Sequence, residues 1–234
     1  MSSWCYQFSR KAARVVFAPF ASLRIWRVSE LPEPAGGAVI VSNHISHFDP
    51  VLLSVAFTRS IDWMTTEEFY ANRFGGAFLR ALNTFPVDRS RPDQRALRLG
   101  VERLRAGRIV GMFPEGGIRA GETSILGGAA PKSGAAALAR LAHVPIIPTV
   151  IFGSDRLYAK RSWLPGPPRI PIRIAIGAAF NISREMTESS NAVLAEALRQ
   201  LGAATIAHFH LGPEDLPATP QHRKGRDRQP NDSK

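Results

Sequence analysis

Residues 42–50 read Ser42-Asn43-His44-Ile45-Ser46-His47-Phe48-Asp49-Pro50. The run before them, Ala38-Val39-Ile40-Val41, has the composition of a buried strand, and residues 51–57 are apolar and predict a helix. A histidine, a carboxylate and small polar groups therefore stand where a strand gives way to a helix, the place where open α/β sheets put their chemistry. On a regular helix His44 and Asp49 would lie roughly 140° apart. They meet only if His44 is on the loop and Asp49 at the helix start, where an Asp-Pro pair is well suited. A carboxylate there can accept from one imidazole nitrogen and leave the other to take a proton from a substrate hydroxyl.

Two other readings stay open on these residues alone. Asp49 could serve only as a helix cap beside a hydrogen-bonded loop histidine. His44, His47 and Asp49 could also be part of a metal site, but a closed site needs three or four ligands, and no other His/Cys/Asp/Glu cluster supplies them.

Working outward, alternating apolar runs and helical patterns predict an α/β layered domain with a mostly parallel, mixed sheet flanked by helices. Strands are expected at 61–64, 85–89, 109–113, 144–152 and 170–176. Pro145 and Pro148 suggest that the strand at 144–152 is an edge or carries a bulge. A helix is expected at 67–82, broken near Gly75-Gly76. Another at 90–104 would be capped by Ser90, with Pro92 and Asp93 in its first turn. Further helices are expected at 133–142 and around Leu194, Leu198 and Leu201. No internal repeat or second domain is found.

The single cysteine, Cys5, leaves no internal disulfide framework. Thirty basic against 19 acidic residues give a net charge of +11, which calls for an anionic partner. No nucleic-acid-binding module is recognisable, which leaves a membrane surface or phosphorylated substrates. Residues 1–29 combine Arg10, Lys11, Arg14, Arg24 and Arg27 with interleaved aromatic and aliphatic residues. Their apolar run is too short to span a bilayer, and the segment predicts a short amphipathic helix lying in a membrane interface; a helix packed on the domain is the alternative. The expected organisation is a membrane-associating segment at 1–29, a domain at 30–211 and a disordered basic tail at 212–234.

The motifs resemble those of the glycerophospholipid acyltransferase superfamily. Asn43-His44-x-Ser46-x-x-Asp49 is similar to its His-x4-Asp block. Phe85-Pro86-Val87-Asp88-Arg89 resembles its second block, and Phe113-Pro114-Glu115-Gly116 its third, although Gly117-Ile118-Arg119 stands where Thr-Arg-Ser is usual. Lys132-Ser133-Gly134-Ala135-Ala136 and Val144-Pro145-Ile146-Ile147-Pro148 follow in the same order. The resemblance implies acyl transfer from acyl-CoA or acyl-carrier protein to a lysophospholipid hydroxyl, with 1-acyl-sn-glycerol-3-phosphate the foremost acceptor. It implies catalysis by His44 and Asp49, no cofactor, and acceptor binding by Asn43, Ser46, Arg89, Glu115, Gly116, Gly117, Arg119 and Lys132. It also implies peripheral or monotopic attachment on the cytoplasmic face of the cell membrane. Transfer to another lipid acceptor, a thioesterase or metallohydrolase using the same pair, and a non-catalytic membrane-binding protein are the rivals.

Overall fold

The computed structural model describes residues 3–30, 33–70, 76, 79, 83–88, 93–163, 169–183 and 189–224. Helix α1 (Ser3–Phe17) leads into strand β1 (Ala21–Arg27). Then come β2 (Ala38–Ser42), α2 (Asp49–Ala56), β3 (Ile61–Thr66) and β4 (Phe85–Val87). Helix α3 (Gln94–Arg105), β5 (Ile109–Met112), α4 (Gly134–Ala142) and β6 (Ile146–Phe152) follow. The described chain ends with β7 (Ile170–Ile176), α5 (Ser190–Phe209) and the short α6 (Pro220–Arg223).

The strands form one sheet in the order β1-β7-β6-β2-β5-β3-β4. All pairs are parallel except β6 with β7. Every residue of β2 is buried, as a strand covered on both faces requires. Ile40, Ile147, Ile151 and the even-numbered isoleucines of β7 pack with Leu52 and Leu53 of α2 on one face. Val39, Val41, Val110 and Val150 pack with Leu138 of α4 and Leu194 and Leu198 of α5 on the other. The result is a three-layer α/β domain.

From β2 the chain crosses toward β3, and from the neighbouring β5 it crosses the opposite way toward β6. The carboxyl ends of β2 and β5 thus flank a topological switch point, where a crevice opens.

Several expectations need correction. β6 is interior, not an edge. Its register to the chain after β7 slips by one residue between Thr149↔Ile176 and the bridge Ile146↔Phe180, so Pro148, which lacks an N–H, sits where the ladder is interrupted. α3 is capped by Asp93, whose carboxylate accepts from the amides of Arg95 and Ala96; Ser90 and Pro92 lie outside the described residues. Of the helix expected at 67–82, a 3₁₀ turn is described at Glu67–Tyr70, with most of the remainder outside the described residues.

The segment 1–29 is divided between α1 and a strand of the sheet. Three of its arginines are also engaged inside the protein. Arg10 donates to the carbonyls of Phe57 and Thr58, Arg14 to Val55 and Arg27 to Ala56. These carbonyls close the C-terminal end of α2, where the helix leaves acceptors unsatisfied and favours positive charge. The Tyr6 hydroxyl accepts from the Ile61 amide at 3.0 Å. At the other terminus, residues 212–224 are ordered on the domain, with the Arg223 guanidinium 2.6 Å from the buried Asp155 carboxylate. A buried carboxylate needs such partners, and composition alone did not expose this one. No described helix is long and apolar enough to cross a membrane.

Candidate active site

β2 ends at Ser42, and the next six residues turn the chain into α2. Asp49, the first residue of α2, is fully buried and organises that turn. Its Oδ2 accepts from His44 Nδ1 at 2.9 Å and from the Ile45 and Ser46 amides, each at 2.8 Å. Its Oδ1 accepts from the Ser154 hydroxyl at 2.5 Å. Asp49 is therefore not the helix cap: that position is Phe48, with no side-chain cap bond, and the Asp49 carboxylate serves the turn before the helix. With Nδ1 turned to the carboxylate, Nε2 is the imidazole nitrogen left for chemistry.

The His44 ring stacks on Phe113, with centroids 4.0 Å apart, and Phe113 stacks in turn on Trp63 at 4.8 Å. Trp63 can lie against β5 because Gly111 has no side chain; a Cβ there would come within 2.5 Å of the indole. The stack shields one face of the imidazole from water and fixes its plane.

Two cavities meet at this stack, both touching Met64 and Phe113. The larger, about 750 Å³, is lined by His44, His47 and Trp63 with Phe8, Val16 and Phe17 of α1, and its walls are mainly apolar. The smaller, about 590 Å³, runs past Gly116 and Lys132 to the start of α4 and is also bordered by Asp88 and Asp93.

The expected acceptor-binding residues divide sharply. Asn43 is buried and clamps β2 to β6: its amide donates to the Ile151 carbonyl and accepts from the Ile151 amide, both at 2.9 Å. Glu115 is also turned inward. Its Oε2 accepts from the His44 amide at 2.8 Å and its Oε1 from the Ile125 amide at 2.9 Å. Burial outweighs those two bonds and pushes its carboxyl up to about 7. The Ser46 hydroxyl accepts from the Phe48 amide within the turn. Asn43, Ser46 and Glu115 thus hold the His44 loop in place. Arg119 contributes its backbone, donating to the His44 carbonyl at 2.9 Å, while its side chain is exposed.

Gly116 and Lys132 do line the smaller cavity. Gly116 has φ +70°, and a Cβ there would meet Lys132 Cε at 2.5 Å; Gly117 has open space around the corresponding position. Arg89 lies outside the described residues.

Ser154 and Tyr158 were not singled out from sequence. The Tyr158 phenol, held protonated by burial, bonds His47 Nδ1 and accepts from the His47 amide at 2.9 Å. The His47 ring is held below its ordinary pKa, chiefly by burial, so it accepts that proton. Gly153 after the apolar run of β6 was the usable signal, since it marks a turn at the same sheet end as His44. Among the described residues no three His, Cys, Asp or Glu side chains converge as a metal site.

Comparison with known proteins places the chain in a family. The family described as acyltransferase matches residues 26–152, which span β2, the His44 turn, Glu115 and β6. The chain is 30% identical over 149 residues to the 1-acyl-sn-glycerol-3-phosphate acyltransferase of Bacillus subtilis (strain 168), covering 63% of this chain and 71% of that protein. It is 28% identical over 126 residues to the enzyme of the same name from Streptococcus pneumoniae (strain ATCC BAA-255 / R6), covering 53% of this chain and 45% of that one. The crystal structure of the 1-acyl-sn-glycerophosphate acyltransferase from Thermotoga maritima superposes with a TM-score of 0.62 at 22% identity, over 85% of this chain and 80% of that chain. That last likeness concerns the fold. With the family match spanning the His44 turn, Glu115 and β6, the chain belongs to the acyltransferase family and is an acyltransferase.

Proposed function

We propose that the protein transfers a fatty acyl group from a thioester, acyl-CoA or acyl-carrier protein, to the free hydroxyl of 1-acyl-sn-glycerol-3-phosphate, giving phosphatidic acid in phospholipid synthesis. One observation carries the reading: an imidazole pinned by a buried carboxylate at 2.9 Å opens on a large apolar cavity beside a second cavity that holds a lysine. The names of the curated relatives support the choice of acceptor.

His44 takes the proton of the acceptor hydroxyl as that oxygen attacks the thioester carbonyl, and returns it to the leaving thiolate. Asp49 fixes the tautomer and stabilises the imidazolium. The acyl chain occupies the apolar cavity under α1. Lys132 and the first amides of α4 bind the acceptor phosphate: the helix N-terminus favours an anion, and Ser133 makes no side-chain cap bond to those amides. Of the acids on that cavity, Asp93 is already occupied in capping α3. The resemblance of the second block implies a role for Arg89 in binding the same phosphate.

Attachment at a membrane surface fits the exposed apolar residues of α1, Phe8 (61% exposed), Val15 (73%) and Val16 (53%). Phe8 and Val16 also border the larger cavity, so a lipid would pass from the bilayer into the site along this helix.

The test offers labelled acyl-CoA and acyl-carrier protein separately, with and without 1-acyl-sn-glycerol-3-phosphate, in detergent or lipid. Acceptor-dependent labelled phosphatidic acid is expected with at least one donor. Thiol release without acylated lipid would overturn the reading in favour of hydrolysis, and labelling of a different lipid alone would overturn the acceptor.

A further inference from the structure

Asp49 receives four donors, but only three come from its own turn. The fourth, the Ser154 hydroxyl, reaches it from the far end of β6. Oδ2 is shared among His44, Ile45 and Ser46, whereas Oδ1 bonds Ser154. Both residues are fully buried, so no water can stand in without rearrangement.

The serine is placed deliberately. Gly153 turns the chain out of β6 with φ +87°, and a Cβ there would collide with the Pro171 carbonyl at 2.1 Å. The 3₁₀ turn Ser154–Tyr158 is then fastened at three points. Asp155 Oδ2 accepts from Arg223 Nε at 2.6 Å and the Ala218 amide at 3.0 Å, Arg156 bonds Asp215 at 2.8 Å, and Tyr158 bonds His47. The C-terminal segment therefore holds the turn that carries Ser154.

We infer that Ser154 is a positioning residue for acyl transfer: its hydroxyl fixes the rotation of the Asp49 carboxylate and draws off part of its charge, setting how strongly Asp49 holds the His44 imidazolium. This rests on the reading of His44 as general base. With the hydroxyl gone, Oδ1 keeps its full charge in a buried place, the carboxylate is free to rotate, and its hold on the imidazolium changes.

The experiment measures kcat, both KM values and thermal midpoints for wild type, Ser154→Ala, Ser154→Cys and His44→Ala from about pH 5 to 9. Ser154→Ala is expected to lose about tenfold to a hundredfold in kcat, because a carboxylate no longer fixed in rotation holds the imidazole out of its working orientation. Its KM values stay near wild type, and the acid limb of its pH profile moves. Ser154→Cys, with a weak S–H donor of similar shape, falls between the two and serves alone if the alanine variant does not fold. An acid limb unmoved in both variants would overturn the inference, whatever happens to kcat or stability. Activity retained in His44→Ala would instead overturn the base reading beneath it.

Discussion

Asp49 and Glu115 are two buried carboxylates at the ends of adjacent parallel strands, both beside His44, and they do opposite work. Asp49 gathers four donors, one of them the imidazole itself. Glu115 gathers two backbone amides, one of them the amide of His44, and its carboxyl is pushed up to about 7. Asp49 acts on the ring, and Glu115 on the chain that carries the ring. The lesson is that a carboxylate in such a block can be chemistry or scaffold, and the number and kind of its donors decides which.

The comparison breaks most visibly at Asp49. Asp49→Asn keeps the shape but offers one acceptor oxygen to four donors and favours the wrong tautomer of His44. Its kcat is expected to fall by on the order of 10²–10⁴, and its stability by about 1–3 kcal/mol for each buried donor left unpaired. A folded, fully active Asp49→Asn would place Asp49 with the scaffold.

Glu115→Gln should act more mildly. One of the two amides must face an NH₂ group, so activity is expected to drop about tenfold through displacement of the His44 loop, the cost of one lost bond. The stability profile is the sharper measure. A carboxyl whose pKa is raised on folding, from 4.5 to about 7, contributes stability that is present below 4.5 and lost as pH rises through 7. The advantage of wild type over Glu115→Gln in urea unfolding should therefore shrink between those values, by at most about 1.4 kcal/mol per pH unit. Parallel curves would mean that the buried carboxyl does not titrate there.

The smallest effects separate the two glycines after Glu115. Gly116→Ala forces an L-residue into φ +70° and displaces Lys132, costing about 1–2 kcal/mol and raising the KM of the acceptor. Gly117→Ala, with open space around it, should leave stability within about 0.5 kcal/mol. Equal effects at both positions would remove the contact with Lys132 as the cause.

How much of this was readable in advance follows from sequence distance. The His44–Asp49 contact spans five residues and is dictated by one strand end and one Asp-Pro helix start, so the motif alone located it. The alternating layers were legible for the same reason, since each strand and helix carries its own periodicity. The partners of Asn43, Glu115 and Ser154 lie 108, 71 and 105 residues away. Only strand order brings these together, so the buried partners of Asn43 and Glu115 could not be read from their blocks and Ser154 drew no notice. The arginines of the first 27 residues hid their partners for another reason. Arg10, Arg14 and Arg27 read as a basic surface because their acceptors are backbone carbonyls, which every residue has, and only the end of α2 leaves these open.

The central claim is that the imidazole held by Asp49 removes the acceptor proton. It is tested most directly by comparing acyl transfer to 1-acyl-sn-glycerol-3-phosphate by wild type and His44→Ala, with matching circular dichroism and thermal midpoints as the control. The account predicts a folded variant whose kcat is lower by about 10²–10⁴. A folded His44→Ala that transfers acyl groups at the wild-type rate would contradict it.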